Sequence, residues 1–250
     1  MIGGPGRAFI YPWGAETLEN GDVLIGDYWN YSIKRFTSGG DFVTELIKGT
    51  KGTDRGEHLA PYEIAATPNG NAFFFGDVDS QRTVDKYGAD GTFLFDFGGP
   101  QRYSYPAYPA VTSDGRVVVA DSRSHEISVN DAQGRELFRF GRAGNGRGEF
   151  RTPRGIDICR GCAPRNNDWL YVADSGNHRG QIWLLKKNGT KKRTADFVKN
   201  FGGSKLGAGR GGGNLRGVAV DQKRGFVYIV DAFTGFTNKF NLKGKYLDRF

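Results

Sequence analysis

Runs of roughly four to six apolar residues, each closed by an Asp and a polar stretch, recur along this chain. They are DVLIGDYWNYSIKRF (22–36), AFFFGDVDSQRTVDKY (72–87), VVVADSRSHEISVND (117–131), LYVADSGNHRGQIWLLKKNG (170–189) and FVYIVDAFTGFTNKF (226–240). Each repeat is read as four short strands. The first opens at Pro12, Pro61, Pro106, Pro153 or Leu215 and closes, in the first three repeats, on a turn signal, Asn20-Gly21, Asn69-Gly70 or Asp114-Gly115. The second ends at Asp27, Asp77, Asp121, Asp174 or Asp231. The third runs into TSGG, GADG, DAQG, KKNG or NLKG, and the fourth ends near Phe-Gly, as at Phe97-Gly98, Phe140-Gly141 and Phe201-Gly202.

Short strands joined by hairpins and repeating every ~40–50 residues predict an all-β fold, a β-propeller of four-stranded antiparallel blades. The repeats span about 12–60, 61–105, 106–152, 153–214 and 215–250, forming a single domain or a fragment of one. One such blade cannot bury both faces, so neighbours must stack. In each blade the 1–2 and 3–4 turns fall on one side. The 2–3 turns and the interblade links fall on the other, called here the top face.

VADSGNHRGQIWLL after TPRGIDI resembles the NHL repeat, and the resemblance runs from about Pro12 to Phe250. The turns DYWNYS, DVDSQR and DAFTGF of repeats one, two and five depart from it. The resemblance implies a ring typically of six blades, so five repeats are expected either to close with abutting termini or to leave blade edges open to association. It also implies that the recurrent Asp is structural. That carboxylate is expected to accept hydrogen bonds from backbone N–H groups of the turn that follows it.

Composition sharpens the functional reading. The 250 residues carry a net charge of +8, which favours acidic partners. No apolar run reaches the ~20 residues of a membrane span, and MIGGPGRAFIYPWG does not read as a signal peptide. The top face collects Tyr28, Trp29, Tyr31, Arg123, His125, His178, Arg179, Phe233 and Phe236 from the turns, and Arg151, Arg154 and Arg216 from the links, where Arg142, Arg147, Lys205 and Arg210 also lie. Aromatics beside Arg suit a protein interface or single-stranded nucleic acid. The opposite face carries a basic hairpin with Lys186, Lys187, Lys191, Lys192 and Arg193, read as a solvated tip or a docking knob for an acidic partner.

Cys159 and Cys162 lack the following His of a haem attachment and any second cysteine pair for zinc. A local disulfide or two free thiols remain, and an extracellular or periplasmic compartment is favoured slightly over the cytoplasm. Asn30-Tyr31-Ser32 and Asn188-Gly189-Thr190 are possible glycosylation sequons. Some propellers similar to this repeat are peptidylglycine-amidating lyases that hold zinc with histidines, which would place ligands among His58, His125 and His178. The expectation is a non-enzymatic scaffold, without cofactor or metal, that binds a protein through its top face. A single-stranded RNA-binding module, as in NHL-containing translational repressors, is the alternative, and a metal-dependent lyase the third.

Overall fold

The computed structural model describes residues 9–48, 61–78, 81–191, 194–206 and 214–250. Five sheets follow one another along the chain, each with its four strands side by side in sequence order. Blade 1 holds β1 (Pro12–Thr17), β2 (Val23–Asp27), β3 (Ser32–Phe36) and β4 (Phe42–Lys48). Blade 2 holds β5 (Ile64–Ala66), β6 (Ala72–Gly76), β7 (Thr83–Gly88) and β8 (Phe93–Gly98), and blade 3 holds β9 (Tyr108–Val111), β10 (Val117–Asp121), β11 (Glu126–Asn130) and β12 (Glu136–Phe140). Blade 4 holds β13 (Pro153–Ala163), β14 (Asn167–Asp174), β15 (Arg179–Leu185) and β16 (Ala195–Phe201). Blade 5 holds β17 (Leu215–Asp221), β18 (Phe226–Asp231), β19 (Phe236–Asn241) and β20 (Tyr246–Arg249). This is a β-propeller with five antiparallel blades. No helix among the described residues is long and apolar enough to cross a membrane.

The chain divides into two compact units, residues 1–110 and 111–250. In the first, Leu24, Ile33 and Ile47 of blade 1 pack on Ile64, Phe73, Phe75 and Tyr87 of blade 2. In the second, Tyr171, Ala173, Ile182 and Phe201 of blade 4 pack on Leu215, Val227, Ile229 and Phe240 of blade 5. Trp183 joins blade 4 to blade 3, with its ring 4.5 Å from that of Phe140. Continuous burial of β6, of β10 and of β14 from Leu170 onward matches the near-continuous apolar runs that sandwiched strands require. In β18 burial alternates: Val227 and Ile229 are buried, while Val230 is 41% exposed.

The position just before the recurrent Asp shows how tightly blades approach. It is Gly26, Gly76, Ala120, Ala173 and Val230 in the five repeats. A Cβ at Gly76 would run into the Pro106 carbonyl and the Ala107 Cα at the head of the next blade. Small residues therefore occupy the position where another blade's backbone lies against it, and the branched Val occupies it where the side chain is exposed.

Candidate interaction face

All five recurrent Asp side chains are buried. In blades 1, 4 and 5 their backbone donors come mainly from the incoming link rather than from the turn that follows. Asp27 accepts from the N–H of Ile10 and Tyr11, Asp174 from that of Arg151, and Asp231 from that of Asn214, all in the segment that leads into the same blade. Asp231 also accepts a backbone N–H of its following turn, at Phe233, whereas Asp27, Asp121 and Asp174 accept side-chain donors there, from Asn30, Ser124 and Asn177. The carboxylates of Asp27, Asp174 and Asp231 thus each tie the incoming link to the end of the second strand. In blades 1 and 4 a polar side chain on the third strand faces the carboxylate from inside the blade. Lys34 Nζ lies 3.3 Å from Asp27, and Gln181 Nε2 lies 2.9 Å from Asp174.

Blade 4 uses this device most fully. Arg179 Nε donates to Asp174 Oδ2 at 2.8 Å, and its terminal nitrogens donate to the carbonyls of Asn145, Gly146 and Glu149. Asn177 bridges Asp174 to the Gly144 carbonyl. Glu149 closes the same loop: the Gly146 N–H first, then Arg142, holds its carboxyl below the usual range. His125 Nδ1 accepts from Thr152 N–H, and Arg154 donates to Asn214 Oδ1. Arg179, His125 and Arg154, all anticipated as contact residues, thus also hold links in place. His125 and His178 both have positive φ, as does Tyr31 at the matching turn of blade 1, the left-handed conformation that lets these tight turns reverse. Arg151 is exposed, while Arg123 and Arg216 already make contacts within the chain.

Blade 1 carries a different surface. Its 2–3 turn is a 3-10 turn over Tyr28–Asn30, tied down by Asn30 Nδ2 donating to Asp27 and by Tyr28 N–H donating to the Tyr11 carbonyl. Around it Tyr11, Trp13, Tyr28, Trp29 and Tyr62 form one network, with ring centroids 4.9–6.1 Å apart. Tyr62 extends it to Tyr105, whose hydroxyl donates to that of Tyr62 at 2.6 Å, and to Tyr108. Burial, then the Tyr62 bond, pushes the Tyr105 hydroxyl pKa up. The base of the network is buried, with Tyr62 8% exposed, but its rim is open: Ile10 and Trp29 are 60% exposed and Tyr11 45%. Of these rings only Tyr28 and Trp29 were singled out from sequence. Trp13 and Tyr62 carried a signal, since both follow the opening Pro of their repeat, where repeats four and five place Arg154 and Arg216. In blade 5, Phe233 is 59% and Phe236 37% exposed, and Arg249 lies over the Phe236 ring.

On the opposite face, the basic hairpin of blade 4 is anchored rather than free-standing. Arg116 donates to the carbonyls of Lys186 and Gly189, the Asn188 N–H donates to Asp114, and Lys186 pairs with Asp196. Lys187 N–H donates to Asn167 beside the β13–β14 insertion, while Lys191 is exposed. Lys192 and Arg193 lie outside the described residues, as do His58 and Arg210. Cys159 and Cys162 are joined in a disulfide inside that insertion. Among the described residues no three His, Cys, Asp or Glu side chains converge as a metal-binding group.

The two units also differ in charge. Residues 1–110 hold 9 Lys and Arg against 14 Asp and Glu, a net of −5; residues 111–250 hold 26 against 13, a net of +13. The aromatic rim belongs to the acidic unit and the exposed link arginines Arg142, Arg147 and Arg151 to the basic one.

No protein-family model matches the chain. Over 149 residues, 60% of its length, it is 26% identical to Protein brain tumor of Drosophila melanogaster, and the match spans 12% of that protein. Among solved structures, a chain of a nidogen/laminin complex superposes with a TM-score of 0.65 at 18% identity, covering 96% of this chain and 79% of that one. Virginiamycin B lyase from Staphylococcus aureus superposes with a TM-score of 0.63 at 14% identity, covering 96% and 69%. At such identities the structural likenesses speak for the fold alone. Repeat pattern, blade architecture and the sequence relative together make the chain an NHL-like β-propeller.

Proposed function

We propose that this propeller is a non-enzymatic binding scaffold that takes a protein partner through its top face. The observation that carries the reading is the aromatic network of blade 1, buried at Tyr62 and open at Tyr11 and Trp29. Rings held in place by their neighbours lose little freedom on binding, and Trp and Tyr are the side chains on which interfaces concentrate their energy. The polar residues of the equivalent turns in blades 3 and 4 hold links, which supports a surface built for docking.

A second reading, a single-stranded nucleic acid on residues 111–250, draws on their net charge of +13 and on the exposed Arg151. The two readings separate in one experiment. Proteins retained by the immobilised chain are compared with those retained by a Tyr11→Ala/Trp29→Ala variant, and binding of an oligouridylate is measured at low and high salt. Loss of specific proteins with the aromatic variant supports the scaffold. Identical retention by both chains, with tight and steeply salt-dependent oligouridylate binding, replaces it with the nucleic-acid reading.

A further inference from the structure

We infer that the exposed rings of Tyr11 and Trp29 receive a cationic side chain, Lys or Arg, from an extended segment of the protein partner. This deepens the scaffold reading and rests on it. Within this chain, aromatic rings are repeatedly covered by a cation. Lys86 lies over Phe74 and Phe95, Arg102 over Phe97 and Tyr103, and Lys34 over Phe9, all in residues 1–110. Among the described residues no cation lies over Tyr11 or Trp29, although they are the most exposed rings of that unit.

Charge points the same way. Residues 1–110 carry a net of −5 and residues 111–250 a net of +13, so of the two units this is the one whose charge favours a cationic ligand over a phosphate. The geometry is prepared. Tyr11 and Trp29 stand 5.9 Å apart with planes 39° from each other, so one guanidinium or ammonium set against their exposed rim would lie within cation–π reach of both rings. The backbone beneath them is fixed by the hydrogen bonds of Ile10 and Tyr11 to Asp27 and of Tyr28 to Tyr11, so little order remains to be lost on docking. Ile10, 60% exposed beside them, offers apolar contact for the stem of the incoming side chain.

The test uses the whole chain and three probes: a short Arg-Gly repeat peptide, its Glu-Gly counterpart and an oligouridylate of similar length. Binding is followed by calorimetry and by the indole N–H resonance of Trp29, assigned with Trp29→Phe. The Arg-Gly peptide should bind, shift that resonance and weaken with salt. Trp29→Ala should lower its affinity about three- to tenfold, and Trp29→Phe should restore part of the loss. The inference fails if the Glu-Gly peptide or the oligouridylate shifts the Trp29 resonance at least as strongly. It also fails if the Arg-Gly affinity is the same in Trp29→Ala and Tyr11→Ala as in the wild type. If specific proteins still depend on Tyr11 and Trp29 while the Arg-Gly peptide does not bind, the scaffold reading stands and this inference alone is withdrawn.

Discussion

Arg179 Nε stands 2.8 Å from Asp174 Oδ2, and the other donors of the same guanidinium reach three carbonyls of the link that enters blade 4. Both side chains are nearly closed to solvent, Asp174 fully and Arg179 to 13%. An ion pair so placed is an internal brace, and removing one partner strands a buried charge.

Arg179→Ala should therefore cost about 2–4 kcal/mol of stability. Arg179→Lys should recover little of it, because an ammonium cannot repeat the forked geometry. Urea unfolding monitored by circular dichroism measures this. A loss under about 0.5 kcal/mol, the range of ordinary surface substitutions, would return Arg179 to the list of contact residues.

The blade-packing rule gives a paired prediction. Gly76→Val puts a branched side chain against the backbone of Pro106 and Ala107 and should cost about 3 kcal/mol or more. Val230→Ala, at the equivalent position of blade 5, should cost less than about 1 kcal/mol, since Val230 is 41% exposed. Similar losses at both sites would show that Val230 is covered in solution.

Asp157 on β13 supplies the pH dependence. Its carboxylate accepts the N–H groups of Ile158 and Val220, but burial outweighs them and pushes its pKa up to about 6. The unfolded group titrates near 3.9, so between those values the folded chain holds the extra proton. The contribution of this group to stability should be greatest below about pH 4, fall by about 2–3 kcal/mol as pH rises through about 6, and stay level above. Other carboxylates contribute opposite slopes at low pH, so the informative quantity is the difference from Asp157→Asn. That difference should grow between pH 4 and 6, and a flat difference would show that Asp157 titrates normally.

Strand order was legible from sequence because alternation, hairpin dipeptides and the recurrent Asp are local signals that five repeats reinforce. The recurrence of Asp27, Asp77, Asp121, Asp174 and Asp231 at the ends of the second strands was visible in the same repetition. Their partners were not. Asp27 is bonded to Tyr11 and Asp174 to Arg151, residues that lie well upstream in chain order and are adjacent only once the blade has formed. The link-holding bonds of Arg179 and His125 were hidden for the same reason: exposed loop chemistry and link-holding chemistry look alike in a one-dimensional pattern. The aromatic network was seen only in part, at Tyr28 and Trp29, because Tyr11, Trp13, Tyr62 and Tyr105 sit in different segments and meet through stacking of blades. The charge split was written in the sequence, yet it is invisible in the overall +8 and becomes legible only when the chain is divided at residue 110.

The central claim is that the rim of the blade 1 network is where a protein partner sits. The most direct measurement is oxidative footprinting of the chain, free and in complex with a partner recovered in the retention experiment. Tyr11 and Trp29, exposed at 45% and 60%, should become strongly protected while Phe233 and Lys191 keep their free-state reactivity. Protection confined to the Lys191 hairpin or to blade 5, with Tyr11 and Trp29 unchanged, would contradict that claim.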